Sequence, residues 1–155
     1  MLIRIFIAIE PVSMSSMPTK IKLSDIEVRY LTERLKKHEH MCDYDAKNTI
    51  TELEHYYTVL KNKDGVYEPS AMVDRAWHHH ILHTKMYSMF SRQHFGMEIL
   101  HHVPFWSGNE KENVGELSNG KKEFDFIDTY ETVVSIFGPQ NVNETVWYMI
   151  EDDYM

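Results

Sequence analysis

One cysteine in 155 residues, Cys42, excludes an intrachain disulfide. It leaves a reducing compartment, cytoplasmic or organellar, as the expected setting. Its neighbour Asp43 would raise a thiol pKa, which disfavours a cysteine nucleophile. There is no CxxC pair and no HExxH pair, so the familiar zinc motifs are missing. GxGxxG, a phosphate loop and GxSxG are missing too, which excludes a recognisable nucleotide cofactor site and a serine nucleophile elbow. Cations are scarce. Sixteen Lys and Arg face 24 Asp and Glu, for a net charge of −8, and general nucleic-acid binding needs clustered cations. The nearest basic cluster, Arg34, Lys36 and Lys37 with His38 and His40, reads as a solvated helix face.

Long apolar runs are also lacking. The opening MLIRIFIAI is interrupted by Arg4 and is about half the roughly 20 residues a membrane span requires. As a secretion signal it is short, and Ala8-Ile9-Glu10-Pro11 is a poor cleavage site. Ile3, Ile5, Ile7 and Ile9 alternate, so the segment reads as a short strand or a tail. A start at Met14 or Met17 is as credible as one at Met1. Asn143-Glu144-Thr145 matches a glycosylation acceptor, a three-residue pattern that chance supplies.

What is present is an ordinary globular composition, 43 % hydrophobic and 26 % charged. The expected organisation is a strand, linker or tail over 1–20, one helical domain over 21–150, and an acidic tail over 151–155. Ser24-Asp25-Ile26-Glu27 has the form of a capping box and opens a helix carrying Leu31 and Leu35. Asp43 or Asp45 is placed to cap the next, whose stripe is Ile50, Leu53, Tyr57 and Leu60. Ser70 caps a long helix expected from Ala71 to about Gln93, stopped at Gly96. Pro104, Gly108, Gly115 and Gly120 punctuate an irregular stretch over 97–121. A further helix is expected over 122–137 and a short element after Asn143. The fold class is therefore mainly α, a compact domain of about four to five helices with a long central histidine-bearing helix and a short N-terminal strand as an option.

Seven of the ten histidines fall within His78–His102. Neutral imidazole is the commonest protein metal ligand. On a helix Asp74 and His78 share a face, while His80 lies about 160° around from His78. One helix surface cannot bring both histidines to one metal. His79 and His83 share another face with nothing apolar recurring, which reads as solvent. The candidate metal set is thus Asp74 and His78, closed by one or both of His101 and His102 from beyond Gly96. Two imidazoles and a carboxylate suit zinc with an open position, or iron in a facial arrangement. His80, Trp77 and Tyr87 support that set or simply pack the core. The alternative is a non-catalytic structural or protein-interaction module, a subunit of a larger assembly. The aromatics Phe105, Trp106, Trp147 and Tyr148 near loops favour that alternative, and no complete catalytic motif decides whether the chain is an enzyme.

Pro69-Ser70, Val73-Asp74, Trp77-His78-x-His80-Ile81-Leu82, Thr84, Tyr87, Phe95-Gly96, Leu100-His101-His102 and Pro104 together form an ordered pattern. It resembles glycine-rich domain-containing protein-like sequences, over about Ala46 to Trp147. The chain departs from that pattern at His79, His83 and Ser91, where a cysteine often stands, and it lacks the glycine-rich tail. The resemblance marks Asp74, Trp77, His78, His80, Tyr87, His101 and His102 as a set to test, whether catalytic, metal-binding or architectural. It implies no particular reaction.

Overall fold

The computed structural model describes residues 17–104 and 126–148. Among these residues there are six α-helices and no strand: α1 Asp25–His38, α2 Asp43–Asn62, α3 Ala71–Leu82, α4 Thr84–Phe95, α5 Phe126–Phe137 and α6 Glu144–Tyr148. A 3-10 turn, Pro139–Asn141, links the last two. The chain is all-α. The alternating isoleucines, most of the irregular stretch, Phe105, Trp106 and the acidic tail lie outside the described residues.

The capping box at α1 forms as its sequence dictates. Ser24 Oγ accepts from the Glu27 amide at 3.4 Å, and Glu27 Oε2 accepts from the Ser24 amide at 2.8 Å. Helix α2 starts differently from expectation. Cys42 Sγ accepts from the Asp45 amide at 3.5 Å and is the cap. Asp43 and Asp45 fall inside the first turn, where a carboxylate still favours the positive end of the helix dipole.

Helices α1, α2 and α3 pack on one another, and α5 and α6 close over α2. Leu31 and Leu35 of α1, Leu53 and Tyr57 of α2, Val73 and Ala76 of α3, Val133 of α5 and Trp147 of α6 are all essentially inaccessible. The stripe expected on α2 undersells its burial, because every residue from Glu52 to Val59 is buried. The polar members are tolerated because each has a partner. Thr58 Oγ1 accepts from the Ile21 amide at 2.9 Å, and Glu54 Oε2 from the Leu23 amide at 2.8 Å. One turn on, Asn62 Oδ1 accepts from the Thr19 amide at 2.8 Å, and its Nδ2 donates to the Thr19 carbonyl at 2.8 Å. Residues 54, 58 and 62 follow one another at helical spacing. Their side chains bind the extended segment 19–23 as a neighbouring strand would.

Glu52 ties the C-terminal helices down. Its carboxylate accepts from the Asn143 amide and from Trp147 Nε1, each at 2.8 Å, and meets His55 Nδ1 at 3.0 Å. His55 in turn stacks on Phe137 of α5, centroids 3.9 Å apart.

The single long helix expected from Ala71 is two helices. His83 leaves the helical region at φ −86°, ψ 74°. Its Nδ1 accepts from the Met86 amide at 3.3 Å and so caps α4. An imidazole can satisfy one of the free amides of a new first turn, which lets the chain change direction without glycine or proline. Tyr30 of α1 packs edge-on to His83 at 5.2 Å and donates its hydroxyl to the His79 carbonyl at 2.7 Å. That tertiary contact sits at the break.

Candidate metal centre

The histidines of α3 point in three directions, each toward different partners. His80 is fully buried. Its Nδ1 meets the Tyr57 hydroxyl at 2.7 Å and its Nε2 meets Glu27 Oε1 at 3.0 Å. Burial pushes the Tyr57 phenol well above its ordinary value, so it stays protonated. Burial also works against a charged Glu27, yet the hydrogen bonds from His80 and from Ser24 outweigh it and hold the carboxyl below its usual range. His80 is thus the middle of a buried chain running from α2 through α3 to α1.

His79 was expected at the solvent face and is 6 % exposed. Arg34 Nε donates to its Nδ1 at 3.2 Å, and its Nε2 faces Glu39 Oε1 at 2.8 Å. Because a guanidinium only donates, Nδ1 must accept, which places the proton of the neutral ring on Nε2 toward Glu39. The reading as surface failed because α1 covers that side of α3. Polar partners on α1 replace the apolar ones a sequence pattern would need. His83, expected with it in solvent, is half-buried at the helix break.

His78 turns the third way, onto the face it shares with Asp74. His78 Nε2 is 3.1 Å from Asp74 Oδ2 and 3.0 Å from His102 Nε2. His102 Nε2 is 2.6 Å from Asp74 Oδ1. Asp74, His78 and His102 form the one group with metal-ligand geometry found among the described residues. The His78 side chain is 51 % exposed, that of Asp74 31 % and that of His102 10 %. The group therefore opens to solvent through His78 and backs onto the core through His102.

His101 does not join it. The chain after α4 bends at residues 96–98 and then runs without helix or strand through residue 104. Leu100 is buried, His101 exposed and His102 turned inward. Of the two histidines left open by the sequence, the structure brings His102 to Asp74 and His78.

Trp77 and Tyr87 stand behind the group. The Trp77 ring stacks on the His102 ring, centroids 4.1 Å apart and planes 29° apart. Its Nε1 donates to the Tyr87 hydroxyl at 3.0 Å, and that hydroxyl donates to the Leu100 carbonyl at 2.5 Å. Ser91 Oγ accepts from the Leu100 amide at 2.9 Å and donates to the Tyr87 carbonyl at 2.8 Å. Ser88 Oγ donates to the Glu98 carbonyl at 3.2 Å, and Arg92 pairs with the Glu98 carboxylate. Four residues along one side of α4 thus hold the segment that leads to His102. Ser91, read only as a departure from a cysteine, has this bonding role. Burial pushes the Tyr87 phenol up to about 12.

The partners Glu27, Glu39 and Arg34 were missed as neighbours of the histidines. They lie about 40 to 50 residues away in sequence, on α1 or at its C-terminal cap, and the spacing of that helix gives no sign of what it packs against.

A family model described as UCP032817-like matches residues 22–117. The match spans more than half of the chain, and the chain belongs to that family. The family name carries no activity, substrate or ligand. Neither the curated proteins nor the solved structures include a match. Among the described residues, no helix is long and apolar enough to cross a membrane.

Proposed function

We propose that this chain is a helical metal-binding domain whose divalent ion, zinc or iron, is held by Asp74, His78 and His102. The observation that carries this reading is the convergence of two Nε2 atoms 3.0 Å apart beside one carboxylate. Neighbouring ligands around an ion with bonds of about 2.0–2.2 Å stand about 3 Å apart. Three protein ligands leave coordination positions open, here on the exposed His78 side. An ion so held can polarise a bound oxygen or lower the pKa of a bound water, which is the chemistry a metal-dependent enzyme would use. The resemblance to glycine-rich domain-containing protein-like sequences singles out Asp74, His78 and His102 together with Trp77, His80, Tyr87 and His101, and of these we assign only the first three as ligands.

Metal analysis of untagged protein tests the reading. One zinc or iron per chain is expected after loading, and His78→Ala and His102→Ala should each lower the affinity by about 10-fold or more. Less than about a tenth of an ion per chain after loading with either metal would sink it.

A second reading, a protein-interaction module in a larger assembly, is favoured by the outer surface of α1 and α4. A groove of about 830 Å³ there is lined by Ile26, Val28, Tyr30 and Met86 together with charged residues of both signs, Arg29, Glu33 and Lys37 among them. Ile26 is 61 % exposed. In that reading His78→Ala changes stability or assembly with no bound metal to lose. Sedimentation of the purified wild-type chain and the variant, with and without zinc, separates the two.

A further inference from the structure

Metal ligands are effective when something holds them in place before the ion arrives. Here the ligands come from two parts of the chain: Asp74 and His78 from α3, and His102 from the non-helical segment after α4. Apart from the ligands themselves and the Trp77–His102 stack, the Tyr87 hydroxyl oxygen hydrogen-bonds to both parts. It takes the Nε1–H of Trp77, the α3 residue lying against the His102 ring, and gives its own proton to the Leu100 carbonyl two residues before His102.

Resting on the metal reading above, we propose that Tyr87 is the positioning residue of the Asp74–His78–His102 site. It acts by fixing the separation between Trp77 and Leu100, so that the His102 imidazole is delivered to the His78 face of α3. The geometry needs both hydrogen-bonding abilities at one oxygen. Ser91 completes the hold by bonding the Leu100 amide, so that residue is fixed at both its N–H and its C=O. Trp77 then limits the rotation of the His102 ring by stacking on it.

Zinc affinity, measured by competition with a chromophoric chelator on the full chain, tests this. Tyr87→Phe keeps the ring and removes only the bridging oxygen. It should weaken zinc binding by about 10- to 100-fold while keeping one zinc per chain. Ser91→Ala should weaken it in the same direction by a smaller factor, and serves if Tyr87→Phe is poorly folded. Tyr57→Phe is the control. It removes an equally buried hydroxyl, one that bonds His80 rather than the Leu100 carbonyl. Its zinc affinity should stay within about threefold of wild type even where its melting temperature falls. Tyr87→Phe and Ser91→Ala binding zinc as tightly as the unaltered chain overturns the positioning role alone. An equal loss of affinity in Tyr57→Phe also overturns it, because the effect is then general loosening. Failure of the unaltered chain to take up zinc or iron overturns the metal reading, and this proposal with it.

Discussion

At the level of single residues, three histidines within three positions carry three different environments. His78 is exposed at an open group, His79 is held between Arg34 and Glu39, and His80 is enclosed between Tyr57 and Glu27. The split itself was legible, since helical spacing turns adjacent residues by about 100°. What each side meets was not. The environment of Glu27 has a consequence in acid. Its folded pKa lies below the ordinary value of 4.5, so the ionised carboxylate stabilises the fold fully above that value. The contribution is lost as pH falls from there through the folded pKa. His94, whose ring packs against Phe90 at 4.9 Å, is shifted down by burial from 6.5. A depressed histidine also favours the folded state most when neutral, so its contribution is present above about 6.5 and lost as pH drops below it. Both losses run the same way. Urea midpoints should therefore fall as the pH is lowered from 7, and Glu27→Gln should flatten the part below 4.5. An unchanged slope in Glu27→Gln would show that Glu27 does not carry it.

At the level of elements, the stop of α4 is encoded in one residue. Gly96 sits in the left-handed region at φ 63°, and its amide closes on the Arg92 carbonyl at 3.2 Å. A methyl group there would meet nothing within 4 Å, so substitution costs only backbone strain. Gly96→Ala should lower unfolding free energy by about 1–2 kcal/mol, and Gly96→Asn by less, because Asn tolerates that conformation. Equilibrium urea unfolding of the two variants checks both the size and the order. The break between α3 and α4 has no comparable mark. His83 is a plain helix position by spacing, and the ring that caps α4 packs against Tyr30 of α1. The start of α2 was misplaced by one or more residues for a similar reason. Cys42 is a weak acceptor that ranks below Asp in general preference, and it caps here because Asp43 and Asp45 continue into the helix.

For the whole molecule, α2 is the organising helix, and buried polar side chains rather than an apolar stripe fix what surrounds it. Glu52 holds three groups from outside its own backbone, two of them from the segment around α6. Removing it leaves the Asn143 amide and the Trp147 indole without an acceptor in the interior. Glu52→Ala should cost about 3–5 kcal/mol. Since Trp147 loses its partner, its fluorescence should redden at denaturant concentrations where helicity is still intact. A single transition seen equally by fluorescence and circular dichroism would show instead that α6 unfolds with the rest.

Composition and spacing alone determined the class of this protein and the first two members of its candidate site. Helical period, caps at Ser24 and Ser70 and the stop at Gly96 are local rules, satisfied within a few residues of where they are read. Asp74 and His78 are legible for the same reason, being one turn apart on one helix. Only the tertiary structure chose His102 over His101. That choice depends on the path of a non-helical segment, set by Tyr87 and Ser91 holding Leu100. Only the tertiary structure turned His79 inward, placed Glu27 against His80 and gave Glu52 its partners. Each of those depends on a group brought from about 40 to 95 residues away, and no local period records which distant side chain will supply the hydrogen bond that makes a buried polar residue tolerable.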